Sequence, residues 1–163
     1  MPEIRIRNAS MADVDAVAEL ESTCFPPSEA ASRSRIAHRL EVFPECFWLL
    51  TEDGCLVSAV DGCCSDEEML QDGMYEEASL HRPDGRWQML FGVMTRPEKQ
   101  GQGFMHRLME RVLEDCRKRG KAGIVLTCKP EKISFYRQFG FVDEGRSASC
   151  HGQALWHQMR LWL

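Results

Sequence analysis

The sequence holds no apolar run near the roughly 20 residues that a membrane-spanning helix needs. Its eight cysteines include no Cys-x-x-Cys pair, the usual spacing of a zinc or redox motif. Cys63-Cys64 is the only close pair, so the thiols read as reduced and mostly core fillers. No linker, repeat or low-complexity stretch interrupts the chain. Positive charge is not in excess: 20 basic residues stand against 25 acidic ones, mixed along the sequence, for a formal net charge of −5. That disfavours nucleic acid as a partner and mildly favours a cationic small molecule such as an amine. Met1-Pro2-Glu3-Ile4-Arg5 puts charges where a signal peptide needs an apolar core, so a cytoplasmic protein without membrane contact is expected. The 163 residues suffice for one sizeable core and are too few for two ordinary domains, which makes 1–163 a single expected domain.

The most informative stretch is Thr95-Arg96-Pro97-Glu98-Lys99-Gln100-Gly101-Gln102-Gly103-Phe104-Met105. It follows the apolar run Met89 to Met94 and leads into a helical pattern from His106 to Arg119. A strand, a glycine loop and a helix start form an anion cradle, because the first-turn N–H groups are unpaired and the helix dipole adds positive charge. Gly101 and Gly103 allow close backbone approach. The same stretch also fits an ordinary strand-to-helix turn. No Lys-Ser or Lys-Thr follows the glycines, which excludes a nucleoside-triphosphate P-loop. A mid-chain position after a β-containing half argues against a dinucleotide fold.

The remaining elements follow from pattern. Glu3 to Arg7 alternates as a strand, and Ser10 with Asp13 caps a helix through about Ser22. Phe25-Pro26-Pro27 breaks the chain before a second helix, capped by Ser28 and ending near Pro44. Cys46–Leu50 and Cys55–Val60 form a hairpin around Glu52-Asp53-Gly54. Residues 65–86 read as a polar surface excursion with a helical piece. A strand over 87–95, the glycine loop, the long helix, a strand over 123–128 and a short helix come next. Two last strands fall at about 141–150 and 154–162. The order is βααβββαβαββ, a mixed α/β domain.

Gln100-x-x-Gly103 resembles the pyrophosphate loop of the GNAT acetyltransferase superfamily, with Met105 departing from the small residue usual at its end. Phe135-Tyr136-Arg137-Gln138-Phe139-Gly140-Phe141 is similar to the signature that follows the fifth strand of that superfamily. Leu80-His81-Arg82-Pro83, Leu126-Thr127-Cys128, Cys24-Phe25 and Asp66-Glu67-Glu68 resemble the arylalkylamine N-acetyltransferase branch. The resemblance implies a central, mostly antiparallel mixed sheet with splayed fourth and fifth strands. It implies acetyl-CoA as cosubstrate, no metal, and a small-molecule amine as acceptor. Gln100, Gly101, Gln102, Gly103, Phe104 and Met105 would then take the pyrophosphate. Pantetheine would pair with the main chain of Val93, Met94 and Thr95 like an added strand.

By the same resemblance Tyr136 sits near the departing sulfur and protonates it as general acid; read from composition alone, it is an aromatic packing the short helix onto the sheet. The vertebrate-type members carry His-x-His on the fourth strand, and those positions fall here on Met89 and Phe91, which accept no proton. Deprotonating an amine of pKa about 10 at pH 7 costs about 4 kcal/mol, so the base is unassigned among His81, Glu77, Asp61, His151 and Ser149. Phe25 and Pro26 in the interhelical loop, with Met89 and Phe91, would make an apolar acceptor pocket, closed by the turn Ser147 to Gly152. A peptide or protein N-acetyltransferase and a non-catalytic acyl-CoA-binding module are the rival readings. The apolar final strand, Ala154 to Leu163, offers an edge for a homodimer.

Overall fold

A computed structural model describes all residues from Met1 to Leu163. Short strand β1 (Ile4–Asn8) leads through a 3-10 turn into α1 (Val14–Cys24), and α2 (Arg33–Val42) follows. The hairpin is β2 (Phe47–Glu52) and β3 (Cys55–Asp61), with Asp53 and Gly54 both at positive φ in its tip. Then come β4 (Cys64–Ser65), α3 (Asp72–Glu76), β5 (Trp87–Leu90), β6 (Gly92–Thr95) and α4 (Phe104–Lys118). β7 (Gly123–Cys128), α5 (Ile133–Arg137), β8 (Val142–Arg146) and β9 (His157–Trp162) complete the chain. The mixed α/β class and the element order read from the sequence match, with β4 added, one strand divided, and α3 as the helical piece expected within 65–86.

The division matters most. The strand expected over 87–95 breaks at Phe91, and the chain that follows β3 breaks opposite it at Gly62-Cys63. One sheet runs β1-β2-β3-β6 and the other β4-β5-β7-β9-β8. They meet at this crease, where Phe91 N–H donates to Asp61 O and Met89 N–H to Cys63 O, each at 2.7 Å. A Cβ on Gly62 would lie 1.7 Å from Met89 O, so only glycine permits the approach. β5 pairs with β7 in parallel and every other ladder is antiparallel. Past Leu90 and Leu126 that pairing ends, β6 turns to β3, and a cleft opens between β6 and β7.

α4 places Phe104, Leu108, Met109, Val112, Leu113 and Cys116 on one face at helical spacing. That face covers the main core over β2, β3 and β6. α1 and α2 cover the opposite face, where Val17, Leu20, Ile36 and Leu40 pack on Phe47, Leu49 and Ala59.

Three local expectations need correction. α2 is capped by Ser32, whose Oγ accepts from Arg35 N–H at 3.2 Å, and not by Ser28. Residues 65–86 are no surface excursion: Leu70, Met74, Tyr75, Ala78 and His81 are buried, so polar neighbours hid an apolar stripe. β9 offers no free edge, because β7 and β8 flank it on both sides. The eight cysteines are all unbridged, and Cys46, Cys63, Cys64, Cys116 and Cys128 are buried core residues. No helix is long and apolar enough to cross a membrane.

Candidate functional site

The cleft between β6 and β7 widens into a cavity of about 920 Å³. Arg96 N–H donates to Val57 O, and antiparallel alternation then directs the main chain of Met94 and Gly92 toward β3. The main-chain groups of Val93 and Thr95 point the other way, into the cavity that both residues line. Thr95 O is taken by the Cys24 thiol at 3.3 Å and the Gln100 amide at 3.1 Å. Val93 thus presents the free edge.

Beside this edge stands the α4 N-terminus. Gly103 is the N-cap with φ 85, and Gly101 has φ 77. A Cβ at either would meet nothing within 4 Å, so these glycines serve backbone conformation rather than space. The first intrahelical bond is Arg107 N–H to Gly103 O, which leaves the amides of Phe104, Met105 and His106 without helical partners. No acidic residue stands in the first turn. Gln100, Gly101, Gly103, Phe104 and Met105 line the cavity. Gln102 does not; its amide points back to Glu98 O at 3.4 Å. Lys99 is held by Glu52 at 2.7 Å and Arg96 by Glu19 at 2.9 Å, so the loop attracts anions through its backbone.

Both tyrosines of the chain line the same cavity. Tyr136, on α5, is 7% exposed, and burial pushes its phenol well above the ordinary value, so it keeps its proton at neutral pH. Tyr75, on α3, shares a hydrogen bond of 3.0 Å with Thr127 Oγ1, and burial raises its pKa to about 12. His151 stacks on Tyr75 with centroids 4.7 Å apart and planes 7° from parallel. Its Nε2 faces Glu29 O at 3.0 Å, so Nε2 is the donor and Nδ1 carries the lone pair in the neutral ring.

At the opposite wall lies a buried charged group. Arg39 pairs with Asp61 at 3.0 Å and donates to Tyr75 O at 2.9 Å, with its guanidinium 4.9 Å over the Phe91 ring. Glu21, in the last turn of α1, accepts from Ala31 N–H at 2.9 Å. Burial, then the nearby Asp61 charge, raise its pKa to about 7. Arg39 Nε and Asp61 Oδ1 have no partner. Glu21 was missed in the sequence, yet a signal existed: with Val14 and Val17 it falls at i, i+3 and i+7 on the buried face of α1.

The expected acceptor residues divide. Phe25, Pro26 and Phe91 line the cavity. Met89 does not: it is fully buried in the main core, because strand alternation puts it on the other face from Leu90. Of the base candidates only His151 is in the lining. Asp61 is sealed behind Arg39, and Glu77 is exposed elsewhere. Ser149 Oγ donates to Asp72. His81 is engaged at both ring nitrogens, by Cys64 N–H at 3.0 Å and Glu45 at 3.0 Å. The same contacts occupy His81 within its cluster with Cys46 and Cys64, which lies apart from the cavity.

Residues 77–142 match the family model described as an acetyltransferase (GNAT) domain. A probable hydrolase of Bacillus subtilis, YhcX, is 28% identical over 119 residues, covering 64% of this chain and 22% of its own length. A probable glucosamine 6-phosphate N-acetyltransferase 2 of Oryza sativa subsp. japonica is 26% identical over 97 residues, 59% of this chain and 58% of its own. The chain therefore spans less than two thirds of either relative. Among solved structures, the GphF GNAT-like decarboxylase in complex with isobutyryl-CoA superposes with a TM-score of 0.85 at 22% identity, covering 97% of this chain and 98% of that one. The putative acetyltransferase yncA of Salmonella typhimurium, solved with acetyl-CoA, gives 0.70 at 18%, covering 98% and 94%. The chain has the GNAT fold, and its residues 77–142 carry the acetyltransferase (GNAT) domain match within it.

Proposed function

We propose that this protein transfers the acetyl group of acetyl-CoA to a primary amine of a small molecule. The observation that carries this reading is the convergence of three features on one cavity: the free edge of β6 at Val93, the unpaired amides at the α4 N-terminus, and Tyr136. The amides of Phe104, Met105 and His106 suit a pyrophosphate. The Val93 main chain suits the pantetheine amides. As the amine nitrogen bonds to the thioester carbon, the carbon–sulfur bond breaks, and the Tyr136 phenol supplies a proton to the thiolate.

A small acceptor is favoured over a peptide. Glu29, in the loop after α1, is tied to the far wall by its carbonyl to His151 and by an ion pair with Lys129 at 2.9 Å. Gly152 packs so closely on Glu29 that a Cβ would lie 2.6 Å from it. These contacts bridge the acceptor end, where a peptide would need an open groove. Phe25, Phe91 and Trp156 line that end, which suits an arylalkylamine.

A second reading has one observation of its own. Arg39 lines the cavity, and its guanidinium would pair with a substrate carboxylate brought to that wall. The protein would then resemble the decarboxylase relative, breaking a carbon–carbon bond of a carboxylated acyl-CoA to release CO2 and protonating the carbon left behind.

Incubation with acetyl-CoA and a panel of arylalkylamines, polyamines, amino acids and short peptides, and separately with a malonyl-type CoA and no amine, read by mass spectrometry, tests both. Acetylation of an arylalkylamine is the expected result. Acetylation of peptides alone would move the acceptor to proteins. No acetylation, with CO2 released from a malonyl-type CoA and no amine present, would establish the second reading.

A further inference from the structure

We propose that Glu21 is the general base that takes the proton of the incoming amine, with Arg39 and Asp61 as positioning residues. The inference rests on the amine-transfer reading above and supplies the group that reading lacks.

Three carboxylates line the cavity: Glu21, Glu29 and Glu131. Glu29 is neutralised by Lys129, and Glu131 lies exposed on the outer rim. Glu21 alone is buried and has no ion pair of its own. Its Oε1 is fixed by Ala31 N–H at 2.9 Å. Its Oε2 lies 3.7 Å from where a Cβ on Gly92 would stand, at the residue that precedes the free edge of Val93. The carboxylate therefore meets the cavity beside the strand along which the acyl donor would lie.

The charge balance points to a cationic visitor. Asp61 from β3 and Glu21 from α1 supply two carboxylates, and Arg39 from α2 supplies one guanidinium. Arg39 is already committed to Asp61 and to the Tyr75 carbonyl. The other ionisable neighbours are the Cys24 thiol on the same helix, the Tyr75 phenol across the cavity, and Arg35, which lines the cavity from α2. Arg96, beyond β6, is held by Glu19. Within the buried trio of Glu21, Asp61 and Arg39 one negative charge is left over when both carboxylates ionise, and an ammonium group or a proton satisfies it; half-buried Arg35 lies outside that trio. Burial holds the Glu21 carboxyl near pH 7, where a base works best at neutral pH.

The protons balance. The ammonium gives one proton to Glu21, and the neutral amine bonds to the thioester carbon. The carbon–sulfur bond breaks, and the thiolate takes the Tyr136 proton. The second nitrogen proton restores the phenol. Glu21 then releases its proton to solvent, so each turnover yields amide, free thiol and one proton.

The test is kcat/KM for an amine of pKa near 10 and for a weakly basic arylamine, measured between pH 5.5 and 9. It is run on the wild type, Glu21→Gln and His151→Gln, with acetyl-CoA binding as the check on folding. Expected is a roughly 100-fold loss in Glu21→Gln with the basic amine, a smaller loss with the arylamine, and disappearance of a limb centred near pH 7 that His151→Gln retains. Glu21→Asp, which keeps a carboxylate one methylene shorter, should recover part of the rate and the limb. A Glu21→Gln enzyme that keeps the wild-type rate and limb would overturn this assignment alone, as would loss of the limb in His151→Gln instead. A wild type that binds acetyl-CoA and acetylates no amine would overturn the transfer reading and this one with it.

Discussion

A buried carboxyl such as Glu21 works against the fold that holds it. Its pKa in the folded protein is about 7, against about 4.3 for an ordinary glutamate. Between those values the folded state keeps a proton that the unfolded chain releases, so stability falls as pH rises through this window and levels above it. Glu21→Gln keeps the bond to Ala31 and removes this penalty. Its stability gain over wild type should be larger at pH 8 than at pH 4 by about 3 kcal/mol, measured by urea denaturation. A pH-independent difference would mean that Glu21 is solvated. Tyr136 makes the complementary case. Tyr136→Phe should bind acetyl-CoA as tightly as wild type by calorimetry and lose at least about 10²-fold in kcat; unchanged turnover would remove the phenol from the chemistry. The place of Tyr136 in the cavity lining was legible because Phe-Tyr-x-x-Phe-Gly-Phe is a local pattern. For Glu21 the spacing from Val14 and Val17 marked only a buried-face position, and its meeting with the cavity depends on the elements that cover it.

At the scale of the element, two glycine-dependent features shape the site. The crease at Gly62 and Phe91 turns what reads as one strand over 87–95 into β5 and β6, and that turn opens the cleft. Gly62→Ala must push a methyl into the Met89 carbonyl and should cost about 3 kcal/mol or more in chemical denaturation, among the larger effects of a single substitution. Gly103→Ala meets no neighbour but must hold φ near 85. That should cost about 1–2 kcal/mol and raise KM for acetyl-CoA more than it lowers kcat. The glycine loop and the α4 stripe were visible in sequence, since each depends on residues within one turn of the chain. The crease was not, because an apolar run from Met89 to Met94 carries no mark of where its partner strand will change. Ser28 and Ser32 are equally good caps in isolation, and only the packing of the loop after Pro27 selects Ser32.

For the whole molecule, the cavity lies between two sheets that meet at the crease and share one hydrophobic core. A cosubstrate bound there touches both. Acetyl-CoA at about 100 times its Kd should raise stability by about 2.7 kcal/mol, or roughly 5–10 °C in Tm for a chain of this size. Tyr136→Phe should show the same shift, while Gly103→Ala should show less at equal concentration. The sequence by itself determined the class and the order of the main elements, and it marked the glycine loop and Tyr136 as candidates, because each is written in short-range periodicity, glycine placement or a contiguous motif. Only the tertiary structure decided which face of β5 meets the cavity, so that Met89 enters the core while Leu90 and Phe91 line the site. It also brought Tyr75, His151 and Glu21 to one cavity from three segments far apart in the chain. Their meeting depends on how the sheets splay and the loops cross, and no local pattern encodes a contact between residues 21, 75 and 151.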